Sequence, residues 1–349
     1  MSPRRVTLAD VAKAAGVSRT TVSLVLSGRG PEHRISPVSE ERIRAAADEM
    51  GYRPNIVSAG LRTGRTRTIG FVSDTVATSR LAGDMIKGAL EAARERGVML
   101  FIGETEGDAE LERDLVQAMN DRQVDGIILA SMYTRRITVP KGLKAASTVL
   151  LNAVPKPSSR FPVVLPDELE AGRTAARVLL DAGHRDGIHL IGAGPGTRAV
   201  PPDSVAAAER LAGIREVLGA AGAGLAGGRL CRTWEPEEGL AVTRGLLEES
   251  RPRALVCFND RLALGAYQAL ADAGLDVPGD VSVVSFDDHP IASWIRPKLT
   301  TIALPHYELG RKAVDVLFAA IEQDDGPDDR TYRVPMPLRA RASVAPPLA

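Results

Sequence analysis

The sequence predicts a small all-α helix-turn-helix head joined to an α/β body of two doubly wound, parallel-sheet lobes. Three observations lead there. Residues 6–26, VTLADVAKAAGVSRTTVSLVL, read as two short helices around a tight turn. From Thr68 onward, short apolar runs alternate with helical stretches, the pattern of parallel sheets covered by helices on both faces. The chain has 349 residues, and its part beyond the head is longer than one compact core usually spans, so two lobes are expected.

The head builds up from its caps. Thr7 precedes the apolar-periodic positions Leu8, Val11, Ala12 and Ala15, and Asp10 sits where a carboxylate favours the helix dipole. Gly16 ends that helix, Val17 is the apolar turn residue, and Ser18 caps the second helix. Arg19, Thr20, Thr21 and Ser23 then lie near its N-terminus. Small polar side chains there are how a recognition helix meets base edges in the major groove. Ser36 and Pro37 open a third helix with Val38, Ile43, Ala46, Ala47 and Met50 as its apolar face, closed by Gly51. An ordinary Ala-rich hairpin would share part of this spacing; the third helix and the charge distribution favour nucleic acid.

The chain carries 44 Lys/Arg and 44 Asp/Glu and looks neutral. Residues 1–67 nevertheless hold 12 Lys/Arg against 6 Asp/Glu, a net of +6 that leaves −6 on the remainder. A basic head neutralises phosphates and releases counterions, while an acidic body repels the duplex.

Within Tyr52 to Val72, Pro54 breaks the third helix, and Gly60, Gly64, Thr66 and Thr68 make a weak linker. Residues 55–61 suffice for about two helical turns. The head and this RPN-containing segment resemble the lac repressor (LacI/GalR) family of bacterial transcription regulators. The resemblance implies a hinge helix that folds on the operator, with Asn55 and Ala59 in it and Leu61 as the wedge entering the minor groove. A wedge of that kind unstacks base steps and bends the site.

In the body, the runs TIGFV, VMLFIG, GIILA, STVLLN and PVVLP alternate with helical stretches at 85–97, 110–122 and 171–183. The series resumes with GIHLIGA, the stretch 229–234, ALVCFND and VSVVSFDD, with helical stretches at 205–221, 239–250 and 263–274. This pattern is that of a periplasmic-binding-protein-like core with a ligand cleft between lobes. Ligands in α/β sheets sit outside the carboxyl ends of strands, and those positions are polar here: Asp74, Asp167, Asn259, Asp260, Asp287 and Asp288. With Arg210 and Trp234 they form a kit for a polyhydroxylated ligand, hydrogen-bonding groups plus one flat apolar face. Each Asp after a strand is also a ready helix N-cap, notably Asp260 and Asp288.

The resemblance extends over the body through RLAG, NDRLALGA, VPGDVSVVSFDD and LTTIALPHYELGRKAV. It implies an effector cleft lined by Asp74, Asp167, Arg210, Trp234, Asn259 and Asp287, with His306 near it. TVATSRLAG, after Asp74, lacks the aromatic many relatives place there, and Leu24 stands where Arg or His is common. Sugar identity and operator sequence are therefore left open.

Enzyme readings fit poorly. In IGAGPGT, Thr197 stands in place of the third glycine of a dinucleotide loop, and Pro201 and Pro202 come soon after. The five histidines show no metal-ligand spacing, and no cofactor is implied. His184 reads as a turn residue. Cys231 and Cys257 imply no disulfide framework. No apolar leader or membrane-length run is present, which points to the cytoplasm.

The expected division is a head at 1–53, a hinge at 54–67, and a body at 68–349. Within the body, one lobe comprises 68–181 with 303–327 and the other 182–302 with 328–342. The expected assembly is a homodimer on a pseudo-palindromic operator, since one head reads few base pairs and the tail ASVAPPLA has no heptads. Effector binding between the lobes would control the hinge. Two other readings are an enzyme with an accessory basic head, and a constitutive or protein-controlled DNA binder with no small-molecule effector.

Overall fold

A computed structural model describes residues 6–53, 65–79, 82–157, 160–196, 199–322 and 330–347. The chain divides into two compact units at Thr66/Arg67.

The first unit contains α1 (Leu8–Ala15), α2 (Arg19–Leu26) and α3 (Pro37–Glu49). Thr7 and Asp10 form a reciprocal capping box on α1, and Gly16 leaves the helix at φ 63°. Ser18 caps α2 by accepting from Thr21 N, and Ser36 caps α3 by accepting from Ser39 N. Val11, Ala12, Ala15, Val22, Val25, Ile43 and Ala47 form the core. Val38 departs from expectation: it is 77% exposed, because five residues before Ile43 places it off the Ile43–Ala47 stripe.

The second unit begins with β1 (Thr68–Ser73), α4 (Gly83–Glu95), β2 (Met99–Glu104), α5 (Ala109–Asp121), β3 (Gly126–Ile137), β4 (Thr148–Pro155) and β5 (Val163–Pro166). It continues through α6 (Glu168–Asp181), β6 (Ile188–Gly192), α7 (Val205–Ala220), β7 (Leu225–Leu230), α8 (Pro236–Glu249), β8 (Ala254–Cys257) and α9 (Asp260–Asp272). Last come β9 (Ser282–Asp287), α10 (Ile291–Trp294), β10 (Thr300–Ala303), α11 (His306–Glu322), β11 (Thr331–Val334) and β12 (Leu338–Arg339). One parallel sheet runs β11-β5-β4-β3-β1-β2; the other runs β12-β10-β9-β8-β6-β7, parallel except for the edge strand β12.

Two boundaries differ from the sequence reading. Ala171, Ala175, Ala176 and Leu179 of α6 pack into the core of the second lobe, so the first crossing falls at Asp167 and not after residue 181. β11 pairs in parallel with β5, which places residues 331–334 in the first lobe. The chain thus crosses between lobes near 167, 304 and 336. β7 also lies earlier than the expected 229–234 stretch, leaving Trp234 in the turn before α8.

Three helix pairs meet through reciprocal glycines: Gly88 and Gly310 between α4 and α11, Gly172 and Gly213 between α6 and α7, Gly239 and Gly265 between α8 and α9. A Cβ on any of the six would run into a carbonyl oxygen of the partner helix. Backbone contact at these crossings fixes how far apart neighbouring side chains on the two helices stand.

Candidate functional site

In the head, Arg19 and Thr20 are exposed on the first turn of α2, while Thr21 and Ser23 are half-buried. The Thr7, Ser18 and Ser36 side chains cap their helices from exposed positions. Asn55, Ala59 and Leu61 lie outside the described residues.

In the body, a cavity of about 630 Å³ lies at the carboxyl ends of both sheets. The first lobe contributes Asp84, Met132, Tyr133, Thr134, Asn152 and the start of α11 with His306; the second contributes Glu168, Arg210, Trp234, Asn259, Arg261 and Asp287 among others. Arg210, Trp234, Asn259, Asp287 and His306 therefore meet as the sequence suggested. Asp74 and Asp167 do not line the cavity. Asp74 lies behind the wall, accepting from Thr75 N at 2.7 Å, Met132 N at 2.8 Å and Arg135 Nη2 at 2.9 Å. Asp167 stands at the strand-to-helix junction and caps α6, accepting from Glu170 N at 3.2 Å.

The floor is a buried ion pair. Arg210 Nε donates to Glu168 Oε2 at 2.6 Å and Nη2 to Glu168 Oε1 at 3.0 Å. Nη1 donates to the Phe258 carbonyl, Asp287 Oδ1 lies 3.5 Å from Nη2, and the guanidinium sits 4.5 Å from the Phe286 ring centroid. Burial pushes the Glu168 carboxyl above its usual range against the pull of Arg210. Burial also opposes the Arg210 charge, but Glu168 and Asp287 outweigh it and hold the guanidinium above its ordinary value.

Asn259 caps α9 and donates its amide to the Trp234 carbonyl at 3.1 Å, so it places the ring as well as the helix. Trp234 packs edge-on against Phe258 at 5.9 Å between centroids. Asp260 is not the cap; it is fully buried, accepting from Thr301 Oγ1 at 2.8 Å and His289 N at 2.7 Å. Burial, and then Asp287, push its carboxyl up to about 8. Asp288 is no cap either, holding Arg339 and Arg341. Burial lowers His289 and His306.

Two features mark the cavity as built for a ligand. Thr134 Oγ1, Asn152 Oδ1, Trp234 Nε1, Arg261 Nε and His306 Nδ1 are buried without a partner, all on residues that line the cavity. Asn152, Trp234, Asp287 and Asp288 have positive φ, with Asp287 at 107°, strain of about 1–3 kcal/mol each that collects at binding sites. The sequence reading missed Glu168, Thr134, Asn152 and Arg261. Asn152 ends the STVLLN run, so the strand-end rule would have found it.

The two lobes also touch beside the cavity. Arg136 N donates to Asp203 O at 3.0 Å, Arg135 and Ser204 form an antiparallel bridge, and Lys156 Nζ reaches Asp203 at 3.3 Å. Arg333 of β11 makes two bonds of 2.6 and 2.7 Å to Glu209 of α7. Among the described residues, no helix is long and apolar enough to cross a membrane.

Residues 7–55 match the lacI family of bacterial regulatory proteins, and residues 176–344 match the periplasmic binding protein-like domain. The chain is 31% identical over 342 residues to the ribose operon repressor of Escherichia coli (strain K12), covering 97% of this chain and 99% of that protein. It is 31% identical over 353 residues to the HTH-type transcriptional repressor PurR of Vibrio campbellii, covering 97% and 98%. Among solved structures, the lac repressor dimer bound to operator and the anti-inducer ONPF superposes with TM-score 0.78 at 25% identity, covering 98% of this chain and 100% of that one. The transcriptional regulator CelR–cellobiose complex superposes with TM-score 0.65 at 28% identity, covering 97% and 100%. A basic helix-turn-helix unit, a two-lobed body around a polar cavity, and likeness over nearly the whole length to repressors of the same build lead to one conclusion: this chain belongs to the lacI family and is a DNA-binding transcription regulator with an effector-binding domain.

Proposed function

We propose that the protein represses a carbohydrate or catabolic operon as a cytoplasmic homodimer on a pseudo-palindromic operator, and that a sugar or related polyol in the body's cavity controls it. The observation that carries this reading is the set of buried, unpartnered polar atoms around the cavity, which asks for a ligand rich in hydroxyls. Relatives named for ribose and a neighbour solved with cellobiose support the ligand class. The protein acts by binding, not turnover. DNA contact is assigned to Arg19, Thr20, Thr21 and Ser23 on α2, to the helix N-termini capped by Thr7, Ser18 and Ser36, and to hinge residues Asn55, Ala59 and Leu61. Arg210, Trp234, Asn259, Asp287 and His306 are assigned to the effector.

The test joins both ends of the molecule. Binding to its own upstream DNA is measured with and without a panel of pentoses, hexoses, disaccharides and polyols. A change in operator affinity with one of them is expected; no response to any overturns effector control. Leu61→Ala is expected to weaken operator binding far more than binding to random duplex, and equal losses would remove the wedge assignment.

A further inference from the structure

β3 does not run straight. Its pairing with β4 is regular from Ile127 to Ala130 and resumes at Arg135, so residues 131–134 bulge out of the sheet. Bulges beside binding sites re-aim side chains, and here Met132, Tyr133 and Thr134 all line the cavity. Thr134 is 2% exposed and its hydroxyl has no partner. Tyr133 is 56% exposed, an aromatic ring left bare on the wall contributed by the first lobe. The bulge is pinned from behind: Asp74 accepts from Met132 N, at its start, and from Arg135, at its end. The Arg135 guanidinium in turn lies 5.8 Å from the Tyr133 ring centroid.

We infer that this bulge is the ligand-selecting element of the first lobe: Tyr133 supplies the flat face for a sugar ring, the Thr134 hydroxyl bonds a ligand hydroxyl, and Asp74 is a positioning residue that touches no ligand. The element answers the missing aromatic after Asp74, since the stacking ring comes from β3 and not from the segment after β1. A ring face across the cavity from the Trp234 turn suits a pyranose or furanose, whose two faces are apolar and whose rim is polar. The inference rests on the proposed carbohydrate effector.

The probes are D-ribose, D-galactose, cellobiose, sucrose and myo-inositol, used on the full-length protein, with ligand-induced thermal shift as screen and titration calorimetry on whichever stabilises it. Tyr133→Ala and Thr134→Val are each expected to weaken that ligand about 3- to 10-fold, with Thr134→Ser restoring most of the loss. The ligand-free melting temperature should barely move in Tyr133→Ala, because the ring is exposed. Asp74→Asn should weaken the same ligand, and its effect should be less than additive with Tyr133→Ala, a coupling that general damage to the lobe would not produce. If a probe stabilises the wild type and binds Tyr133→Ala and Thr134→Val equally well, the bulge is not a ligand element, although the carbohydrate reading survives. If no probe stabilises the wild type, both readings fall.

Discussion

Replacing Glu168 by Gln removes the charge of the buried carboxylate and keeps its shape. Glu168 and Arg210 side chains are 2% and 3% exposed, so water screens neither, and the guanidinium cannot shed its charge by releasing a proton. Deleting one partner of such a pair costs about 3–5 kcal/mol. The Phe258 carbonyl and Asp287 remain to hold Arg210, which argues for the lower end, about 3 kcal/mol. Arg210→Met is expected to cost less, because the Glu168 carboxyl, already raised by burial, can take up a proton where the arginine could not lose one. That variant should show a signature of its own. An acid whose folded pKa lies above its unfolded value makes the native state hold the extra proton, so stability falls as pH rises through that interval. Replacing both, Glu168→Leu with Arg210→Met, should recover more than half of the Glu168→Gln loss. The chain has two tryptophans, Trp234 and Trp294, and both lie in the second lobe, so urea unfolding followed by tryptophan fluorescence reports the lobe that holds the pair. A Glu168→Gln loss below about 1 kcal/mol, or a double variant no more stable than Glu168→Gln, would refute a desolvated pair.

Gly213→Ala should destabilise the second lobe by about 1–3 kcal/mol or more, since its methyl meets the Leu169 carbonyl of α6; wild-type stability in urea would contradict the close crossing. Asp260, held at about 8 against an ordinary 3.8, binds its proton more tightly when folded and so erodes stability as pH rises from about 4 to about 8. Calorimetry should therefore find Asp260→Asn gaining on the wild type across that range, and a constant difference would count against a buried neutral acid.

The alternation of apolar runs and helical stretches was legible because a strand buried on both faces leaves an unbroken run such as VSVVSF or ALVCF, which no exposed segment imitates. The caps Thr7, Ser18 and Ser36 were legible because capping is local. Lobe membership was not: Gly172 of α6 meets Gly213 of α7, and that pairing, which decides whether α6 packs forward or back, is visible only once both helices are placed. The strand-end rule found Asp287 and Asn259 but misplaced Asp74 and Asp167, because it locates a backbone position and not the direction of a side chain. Local donors at Thr75, Met132 and Glu170 claim those two carboxylates. Thr134 was hidden for the opposite reason, since a bulge breaks the period of two on which strand reading depends.

The stitches between Asp203 and the Arg136 amide and Lys156 ammonium, together with the Arg333–Glu209 fork, join the lobes through groups of the chain alone. They give the body a preferred angle of its own. An effector that binds two angles equally well leaves their ratio untouched, and one that fits this angle best holds the body where it already rests. Signalling requires one that fits a different angle better, and the energy it must find is that of unpicking a seam threaded by a few side chains and one peptide group.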